Sequence, residues 1–412
     1  MPSAMHKTYL IFLFIVFASL QTAAQQNNIW YFGLKSGLNF NTVPASSPPI
    51  AIDNSAMIAD EGCSSICDKN GELLFYTNGV TVYNRSHQVM MNGNNLAGNI
   101  SSVQSCIIVP IPGSDSLYYI FTSDALENNY ARGYCYSLVN MRRDNGNGEV
   151  IAKNILLQGP CTERLTAVRH ADGLSVWVIT NDNSSNTFRA WLVNCNGFQP
   201  IPVVSNVGVV LDQDLVTNTG MLKASPDGKQ LCHTHFPVHE FAPNFAQIFD
   251  FDNATGTLAN PRTINFTDAQ FLTCEYSADS KMLYLVRTFD NAIDQVEATL
   301  PTVANILGSR VTINTGTANF MGIQLAPDGK IYLAQQSTYL GAINHPNTKG
   351  TGCDYQQKQL LLKNSSSYLG LPSFINDLSY NSNNGFTYTI LDSCSGTIQF
   401  QGFSSLAGPL QW

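Results

Sequence analysis

Three histidines and a glutamate fall within one short stretch, and they form the densest group of side chains that could bind a metal ion: His233, His235, His239 and Glu240. Residues two apart on a strand face the same side, so His233 and His235 would point together, with His239 or Glu240 completing a site from the following loop. Pro237 excludes a helix across the group, and the spacing is not the H-E-x-x-H of helical zinc proteases. The sequence therefore offers a metal-site hypothesis at His233, His235 and His239, with surface histidines at a sheet edge as the alternative.

A second group combines positive charge with a titratable ring: Arg164, Arg169 and His170, with Glu163 beside them. If the surrounding strands enclose a central channel, these side chains could point into it and bind a small anion. A solvated strand end is the alternative interpretation. The three residues are therefore candidates for a channel or binding surface.

Other groups give weaker indications of chemistry. Asp250, Asp252 and Asn253 resemble part of a calcium loop, but the later bidentate Glu is missing and an Asp/Asn-rich turn explains them as well. The sequence has no Gly-x-Ser-x-Gly elbow, phosphate-binding loop or dinucleotide fingerprint. We therefore assign no catalytic residue and no cofactor apart from the metal ion considered above.

The elements that would position these residues follow one repeated pattern, in which an apolar strand runs into a polar turn and out into a second apolar strand. Asp-Gly and Asn-Gly supply the positive φ angles of a tight hairpin turn, and the flanking residues are the β-branched and aromatic types that suit strands. Each segment is therefore predicted to be a β-hairpin. The segments are residues 63–77, 106–122, 165–180, 221–232, 272–285 and 321–334.

The hairpins recur at intervals of roughly fifty residues, which is the spacing of four-stranded blades in a β-propeller. One further step reaches a lone strand at 371–376, while two short apolar strands, 29–33 and 37–41, precede the first hairpin. We predict an all-β, seven-bladed β-propeller in which these N-terminal strands form the seventh blade with residues 371–380. The two ends of the chain would then close the ring in one sheet.

The amino-acid composition limits the classes of molecule that the chain is expected to bind. Hydrophobic residues make up 44% of the chain and charged residues only 12%, so a large core is available while Asn, Ser, Thr and Gln supply the polar surface. Such a surface is typical of secreted β proteins. A net charge of −8 without a basic run argues against nucleic acid and against anionic membrane surfaces as partners.

The N-terminal residues have the pattern of a signal peptide. Lys7 precedes an apolar stretch at 9–20, and small residues follow at 22–24. The stretch is shorter than the roughly 20 residues of a spanning helix, and no later segment comes close. We expect export with cleavage before Gln25 and no membrane-spanning segment afterwards. The predicted domains are a signal peptide at 1–24, the propeller at 25–384 and a partial β segment at 385–412.

The chain has ten cysteines, which in an exported protein would first be disulfide candidates. Cys106, Cys232 and Cys274 lie inside apolar strands, where a small buried hydrophobic residue is the favoured interpretation. Two pairs lie at loop or strand ends, where a bridge is the better expectation. They are Cys161 with Cys195 and Cys353 with Cys394.

Several N-terminal stretches resemble a known family: residues 28–33, 37–40, 61–66, 68–84, 87–90 and 104–110. The sequence resembles the N-terminal propeller of large surface proteins of gliding bacteria, which are exported by the type IX secretion route. The resemblance extends from about Asn28 to Asn376 and is strongest before Pro110. It implies that Ig-like domains of the polycystic-kidney-disease (PKD) type and a sorting domain follow the propeller.

The C-terminal residues fit that resemblance. Residues 386–390 and 397–401, with Cys394 between them, look like the opening strands of a PKD-type domain. An Ig-like sandwich needs roughly 100 residues, so we expect a truncated Ig-like segment at 385–412 and no sorting domain.

Three function classes remain. The first is a non-catalytic secreted or cell-surface module that binds a protein or glycan ligand, with Trp30, Trp177 and Trp191 either packed in the core or serving as sugar platforms. The second is an enzyme with its site in the central channel, such as a lyase, a lactonase or a quinoprotein-like dehydrogenase. The third is a structural spacer. Fold alone does not choose among them, but the scattered His and acidic residues favour binding or structure over catalysis.

Overall fold

The structure is a computed structural model that describes residues 25–42, 47–210, 218–236, 244–265, 269–288, 290–314, 316 and 320–375, together with the backbone of 386–392 and 397–402. Seven small sheets lie in a ring and form a seven-bladed β-propeller, which confirms the predicted all-β fold. Among these residues, no helix has the length and apolar character needed to cross a membrane.

Each of the six predicted hairpins is present, and we number blades 1 to 6 after them; the N-terminal sheet is the closing blade. The closing blade contains β1 (Ile29–Phe32), β2 (Ser36–Asn39) and β3 (Ile50–Ile52). Blade 1 contains β4 (Ser64–Cys67), β5 (Leu73–Thr77) and β6 (Val82–Asn84). Blade 2 contains β7 (Cys106–Pro110), β8 (Leu117–Thr122), β9 (Tyr134–Asn140) and β10 (Glu149–Gln158). Blade 3 contains β11 (Leu165–Arg169), β12 (Val176–Asn181), β13 (Thr187–Asn194), β14 (Gly197–Phe198) and β15 (Val203–Asn206); blade 4 contains β16 (Leu222–Ala224), β17 (Gln230–His235), β18 (Phe245–Asp252) and β19 (Thr257–Asn265). Blade 5 contains β20 (Phe271–Tyr276), β21 (Met282–Arg287), β22 (Ala292–Glu297) and β23 (Val311–Asn314); blade 6 contains β24 (Ile323–Leu325), β25 (Ile331–Leu333), β26 (Tyr339–Ile343) and β27 (Tyr355–Leu361).

Helical structure is confined to short connections. Helix α1 (Val303–Gly308) lies between β22 and β23, and its first turn is capped by the Thr302 hydroxyl, which accepts a hydrogen bond from the Asn305 amide. Short 3₁₀ turns are found at Gln25–Asn27, Leu126–Asn128, Asp144–Gly146 and Gly350–Cys353.

The hairpin turn of blade 4 illustrates how local sequence sets these elements. Gly228 has a φ of +67°, a conformation that glycine adopts without steric cost. The Asp227 carboxylate accepts hydrogen bonds from the Ser225 hydroxyl at 2.6 Å and from the Lys229 amide at 3.1 Å. The turn is thus specified by its own residues, which is why the hairpins are legible in the sequence.

The first strand of each hairpin is innermost, and neighbouring inner strands contact one another around the ring axis. The core lies between blades, because one small sheet cannot bury both of its faces alone. For example, Trp177 and Phe188 of blade 3 pack in one cluster with Leu231 and Phe249 of blade 4. Full burial of such a side chain contributes about 1.5–3 kcal/mol, so the contacts between blades hold the ring together.

The two ends of the described propeller meet at the closing blade. The indole of Trp30 lies 5.6 Å from the ring of Phe374, measured between centroids, as closure by both ends requires. Residues 371–375 form a single bridge, Pro372 to Cys63, just before β4 of blade 1, and the described residues show no pairing of this segment with β1, so the full strand expected to share a sheet with the N-terminal strands is not observed. Residues 376–380 of the expected strand lie outside the described residues.

Beyond the propeller, β28 (Phe386–Asp392) and β29 (Thr397–Gly402) pair antiparallel, in agreement with the two strands expected there. Their assignment to a PKD-type domain stays a prediction. The signal peptide at 1–24 and Cys394 lie outside the described residues.

Candidate functional site

The inner strands surround a central channel of about 520 Å³, counted together with the solvent at its mouth, and every blade contributes to its wall. Polar and apolar surface line this wall in equal measure, and the apolar side chains include Val103, Leu165, Met221, Leu272, Met321 and Phe374. The space left between them has room for about one water molecule. Among the described residues, side chains of the blades therefore leave little open space in this channel.

The polar groups of the channel serve to connect blades, and Gln104 is the first example. Its Oε1 accepts hydrogen bonds from the amides of Leu165 in blade 3, at 3.1 Å, and Leu222 in blade 4, at 2.8 Å. Its Nε2 donates to the Leu222 carbonyl at 2.9 Å. This side chain, which precedes the inner strand of blade 2, thus connects the inner strands of the next two blades.

A buried polar triad, Lys223, Glu275 and Gln324, links the inner strands of blades 4, 5 and 6. The Lys223 ammonium lies 2.6 Å from the Glu275 carboxylate and donates to Gln324 Oε1 at 2.8 Å. The carboxylate also accepts the amides of Tyr276 and Leu325, at 2.9 Å and 2.8 Å. Burial raises the pKa of Glu275, and the Lys223 ammonium opposes that rise. With both charges compensated inside the protein, neither is free to act on a substrate.

Sequence analysis missed the triad, although a signal was present. When the hairpins of blades 4, 5 and 6 are aligned on the aspartates of their turns, the three triad residues occupy the same position, four residues before Asp227, Asp279 and Asp328 respectively. A polar residue recurring on an inner strand must find a buried partner. A comparison of the polar residues at this position in successive hairpins would have revealed the pattern.

Arg164, a predicted channel residue, is fully buried between blades 3 and 4. Its guanidinium donates to the carbonyls of Thr234, Asn218 and Thr219, at 3.1, 3.1 and 2.8 Å. Burial lowers the pKa of Arg164 to about 10, so the group stays charged at neutral pH. The side chain acts as a connection between blades.

Two carboxyl groups lie near the same end of the channel. Burial raises the pKa of Glu163 to about 8, although its carboxylate accepts the amides of Val103 and Leu126. Glu61 lies at the channel wall, and its pKa is raised well above the usual value by burial and by the charge of Glu163. Glu163 therefore favours the protonated form at neutral pH.

His233 and His235 lie on one face of β17, as their spacing predicts, and both are buried. His233 contacts the rings of Phe188 and Phe245 edge to face, with centroids 5.9 and 6.0 Å away, and His235 stacks on Phe245 at 4.7 Å. Burial lowers the pKa of His233 well below its usual value, so its ring is neutral. His239 lies outside the described residues. Within the described part of the chain, no group of three or more His, Cys, Asp or Glu is arranged to hold a metal ion, and the metal site stays a prediction.

The structure does not bring the three predicted channel residues together. Arg164 precedes β11, whereas Arg169 and His170 lie at the opposite end of that strand. Arg169 donates to the Leu174 carbonyl at 3.3 Å. His170 Nδ1 accepts the Asp172 amide at 2.9 Å, and the other ring nitrogen contacts the Ala254 carbonyl at 3.1 Å. These contacts form the turn of blade 3 and join it to blade 4.

The fragment that resembles a calcium loop is occupied by protein contacts. The Asp252 carboxylate accepts the Ala254 amide at 3.0 Å and the Thr255 hydroxyl at 2.8 Å, which closes the turn between β18 and β19. Asp250 pairs with Arg262 at 2.6 Å. The turn interpretation describes the observed arrangement.

The outer surface carries the exposed apolar side chains. The outer strand of blade 2 carries an outer apolar patch of Ile151, Ile155 and Leu156, and Ile201, Val204 and Val210 are exposed in and around β15 of blade 3. Strand β10, which supplies the first three, is ten residues long and lies at the edge of its sheet. None of the Trp, Tyr and Phe side chains that the structure describes is exposed, and Trp30, Trp177 and Trp191 are buried in the core.

No protein-family model matches the chain, and neither does any curated protein sequence. Among solved structures, the chain is similar to the Dos1 propeller, with 11% identity, a TM-score of 0.47 and coverage of 89% of this chain and 90% of that one. It is similar to hydrazine synthase of Kuenenia stuttgartiensis, with 12% identity, a TM-score of 0.42 and coverage of 86% and 99%. It is also similar to the periplasmic gluconolactonase of Pseudomonas aeruginosa, with 12% identity, a TM-score of 0.39 and coverage of 58% and 68%. The propeller fold is compatible with catalysis and with binding, so the argument on function rests on the site itself.

Proposed function

We propose that this propeller is a non-catalytic binding module of an exported, cell-surface protein, and that its ligand is a protein. The observation that carries the proposal is the filled central channel. Catalytic propellers need ionisable groups that reach a substrate, whereas here Arg164, Lys223 and Glu275 are buried and bonded to the protein itself. Recognition is then left to the outside of the ring.

The outer apolar patch supports a protein ligand over a glycan. Exposed aliphatic side chains such as Leu156, which is 61% exposed, gain free energy when another apolar surface removes them from water. Sugar rings bind best against exposed aromatic faces, and the aromatic side chains of the described residues are buried or half-buried. Export follows from the predicted signal peptide, and adhesion at the cell surface is the role that we propose for the exported module.

The test compares two exposed leucines on outer strands. Leu156 in the patch and Leu361 on β27 of blade 6 are 61% and 57% exposed, so Leu156→Asp and Leu361→Asp add the same charge in matched settings. A protein captured from cell-surface extract by the full-length chain is identified, purified and titrated against both variants. We expect Leu156→Asp to weaken binding at least tenfold, which corresponds to about 1.4 kcal/mol, and Leu361→Asp to leave it unchanged.

Binding that is insensitive to Leu156→Asp would overturn the patch as the docking surface. A glycan array probed in parallel separates the ligand classes, because a specific glycan signal without protein binding would contradict the proposal. Silence in both assays would favour the structural spacer.

A further inference from the structure

Two cysteine side chains from neighbouring blades meet in the core. Cys232 lies on β17, the second strand of blade 4, and Cys274 on β20, the inner strand of blade 5. Both are fully buried free thiols in one hydrophobic cluster, and Cys232 lies close enough to Cys274 to raise the pKa of its thiol. Sequence analysis treated each as a separate buried hydrophobic residue, because strands of different blades give no local sign of their alignment.

The alignment of the two strands explains why the thiols face each other. Alternation on β17 places His233 and His235 toward Phe188 of blade 3, so that Cys232 and Thr234 face blade 5. The Thr234 hydroxyl donates to the Leu272 carbonyl at 2.6 Å. Two residues back along β17 is Cys232, and two residues forward along β20, across a register irregularity between Phe271 and Cys274, is Cys274. The pair thus follows from the packing of the strands.

Three other buried thiols, those of Cys106, Cys135 and Cys161, contact backbone oxygens, and Cys63 lies near Cys106. Cys106 Sγ donates to the Thr77 carbonyl at 3.6 Å, and Cys161 Sγ lies 3.8 Å from the Tyr130 carbonyl. Cys161 and Cys195, one of the expected bridges, lie at opposite ends of blade 3, since Cys161 precedes β11 and Cys195 follows the far end of β13. Cys353 is described as a free thiol, and its expected partner Cys394 lies outside the described residues.

We propose that Cys232 and Cys274 form a disulfide that links blade 4 covalently to blade 5. The two thiols lose two protons and two electrons as the S–S bond forms. A small-molecule or protein disulfide, such as glutathione disulfide, takes up both electrons and both protons and leaves as two thiols. One cysteine thiolate first attacks the oxidant to give a mixed disulfide, and the second then displaces the remaining thiol.

The order of events follows from burial. In the folded ring, burial raises the pKa of the Cys274 thiol well above its usual value, so little thiolate is present, and no oxidant reaches a fully buried sulfur. The bond must therefore form while blades 4 and 5 are docking. Once formed, the bridge is enclosed by the core and protected from reductants.

The test is a peptide map of the full-length chain refolded in a glutathione redox buffer. Trypsin cuts after Lys229, Arg262 and Lys281, which places Cys232 and Cys274 on two separate peptides with one cysteine each. After denaturation and alkylation without reduction, we expect the two peptides to run as one linked species that reduction separates. Full alkylation of both cysteines would overturn the proposal.

A stability measurement gives an independent readout. We expect the wild type refolded without an oxidant to unfold at a lower temperature than the oxidised protein, and the difference to vanish in the Cys232→Ala/Cys274→Ala variant. Cys106→Ala removes a thiol of equal burial from the inner strand of blade 2 and should keep the difference. An equal difference in the double variant would contradict the bridge. The peptide map needs no variant, so it decides the matter even if a variant fails to fold.

Discussion

Lys223 and Glu275 illustrate what charged side chains do inside this ring. Each is buried at the centre, and their separation of 2.6 Å places them in direct contact. Desolvation offsets much of the attraction in such a pair, so its main effect is on specificity: removing one partner leaves an uncompensated charge in the core. The pair therefore fixes how blade 4 faces blade 5.

The first prediction concerns the removal of one partner from this buried ion pair. Glu275→Leu should lower the free energy of unfolding by about 3 kcal/mol, because Lys223 is left buried without its partner. Lys223→Met combined with Glu275→Leu should recover most of the loss. Denaturant unfolding of the four members of this double-mutant cycle measures the coupling. Additive losses in the double variant would show that the two side chains do not act as a pair.

The titration of Glu163 makes the stability of the folded ring depend on pH. Its pKa rises from the ordinary value of 4.5 to about 8 on folding, so between these values the folded state binds a proton that the unfolded state releases. The contribution to stability is complete below pH 4.5 and is lost as pH rises through about 8. The free energy of unfolding should therefore fall between about pH 5 and pH 9.

Glu163→Gln removes this titration and should flatten the slope, measured as unfolding midpoints across that range. Glu149→Gln, on the outer strand β10, is the matched control and should keep the wild-type slope. If the slopes of wild type and Glu163→Gln are equal, Glu163 does not titrate as described.

At the scale of elements, ring closure depends on a close approach of two backbones at Gly370. A Cβ atom there would lie 1.9 Å from the Glu61 carbonyl oxygen, so any side chain forces the closing segment outward. Gly370→Ala should lower the free energy of unfolding by about 2–3 kcal/mol. Gly308→Ala, at the end of α1, meets no atom within 4 Å and should be neutral or slightly stabilising. Equal unfolding midpoints for the two variants would contradict the closure geometry.

The same scale shows what the sequence could predict. The six hairpins were legible because each turn is specified by a few neighbouring residues, such as Asp227 and Gly228. Contacts between blades could not be predicted from the sequence, since the polar triad and the proximity of Cys232 to Cys274 depend on how distant strands align. The closing segment is an intermediate case: its place beside Trp30 was predicted, but it forms one bridge, to Cys63, instead of the regular ladder expected.

At the scale of the whole molecule, the propeller is a ring closed by hydrogen bonds between its N-terminal and C-terminal segments. The Leu34 amide donates to the Ser366 carbonyl at 2.9 Å, and the Ser373 amide donates to the Cys63 carbonyl at 2.8 Å. The same segment carries Leu371 and Phe374 into the channel wall. Closure and filling of the channel are thus one structural feature, and the proposal of a binding module with an outer docking surface depends on it.

Hydrogen–deuterium exchange of the full-length chain tests that feature most directly. Peptides covering residues 363–375, whose Leu369 and Ser373 amides are bonded to Asp60 and Cys63, should exchange about as slowly as those of the inner strand β11. Exchange at the rate of an unprotected loop would mean that the ends do not meet, that the ring is open at the closing blade, and that the channel is accessible to a substrate.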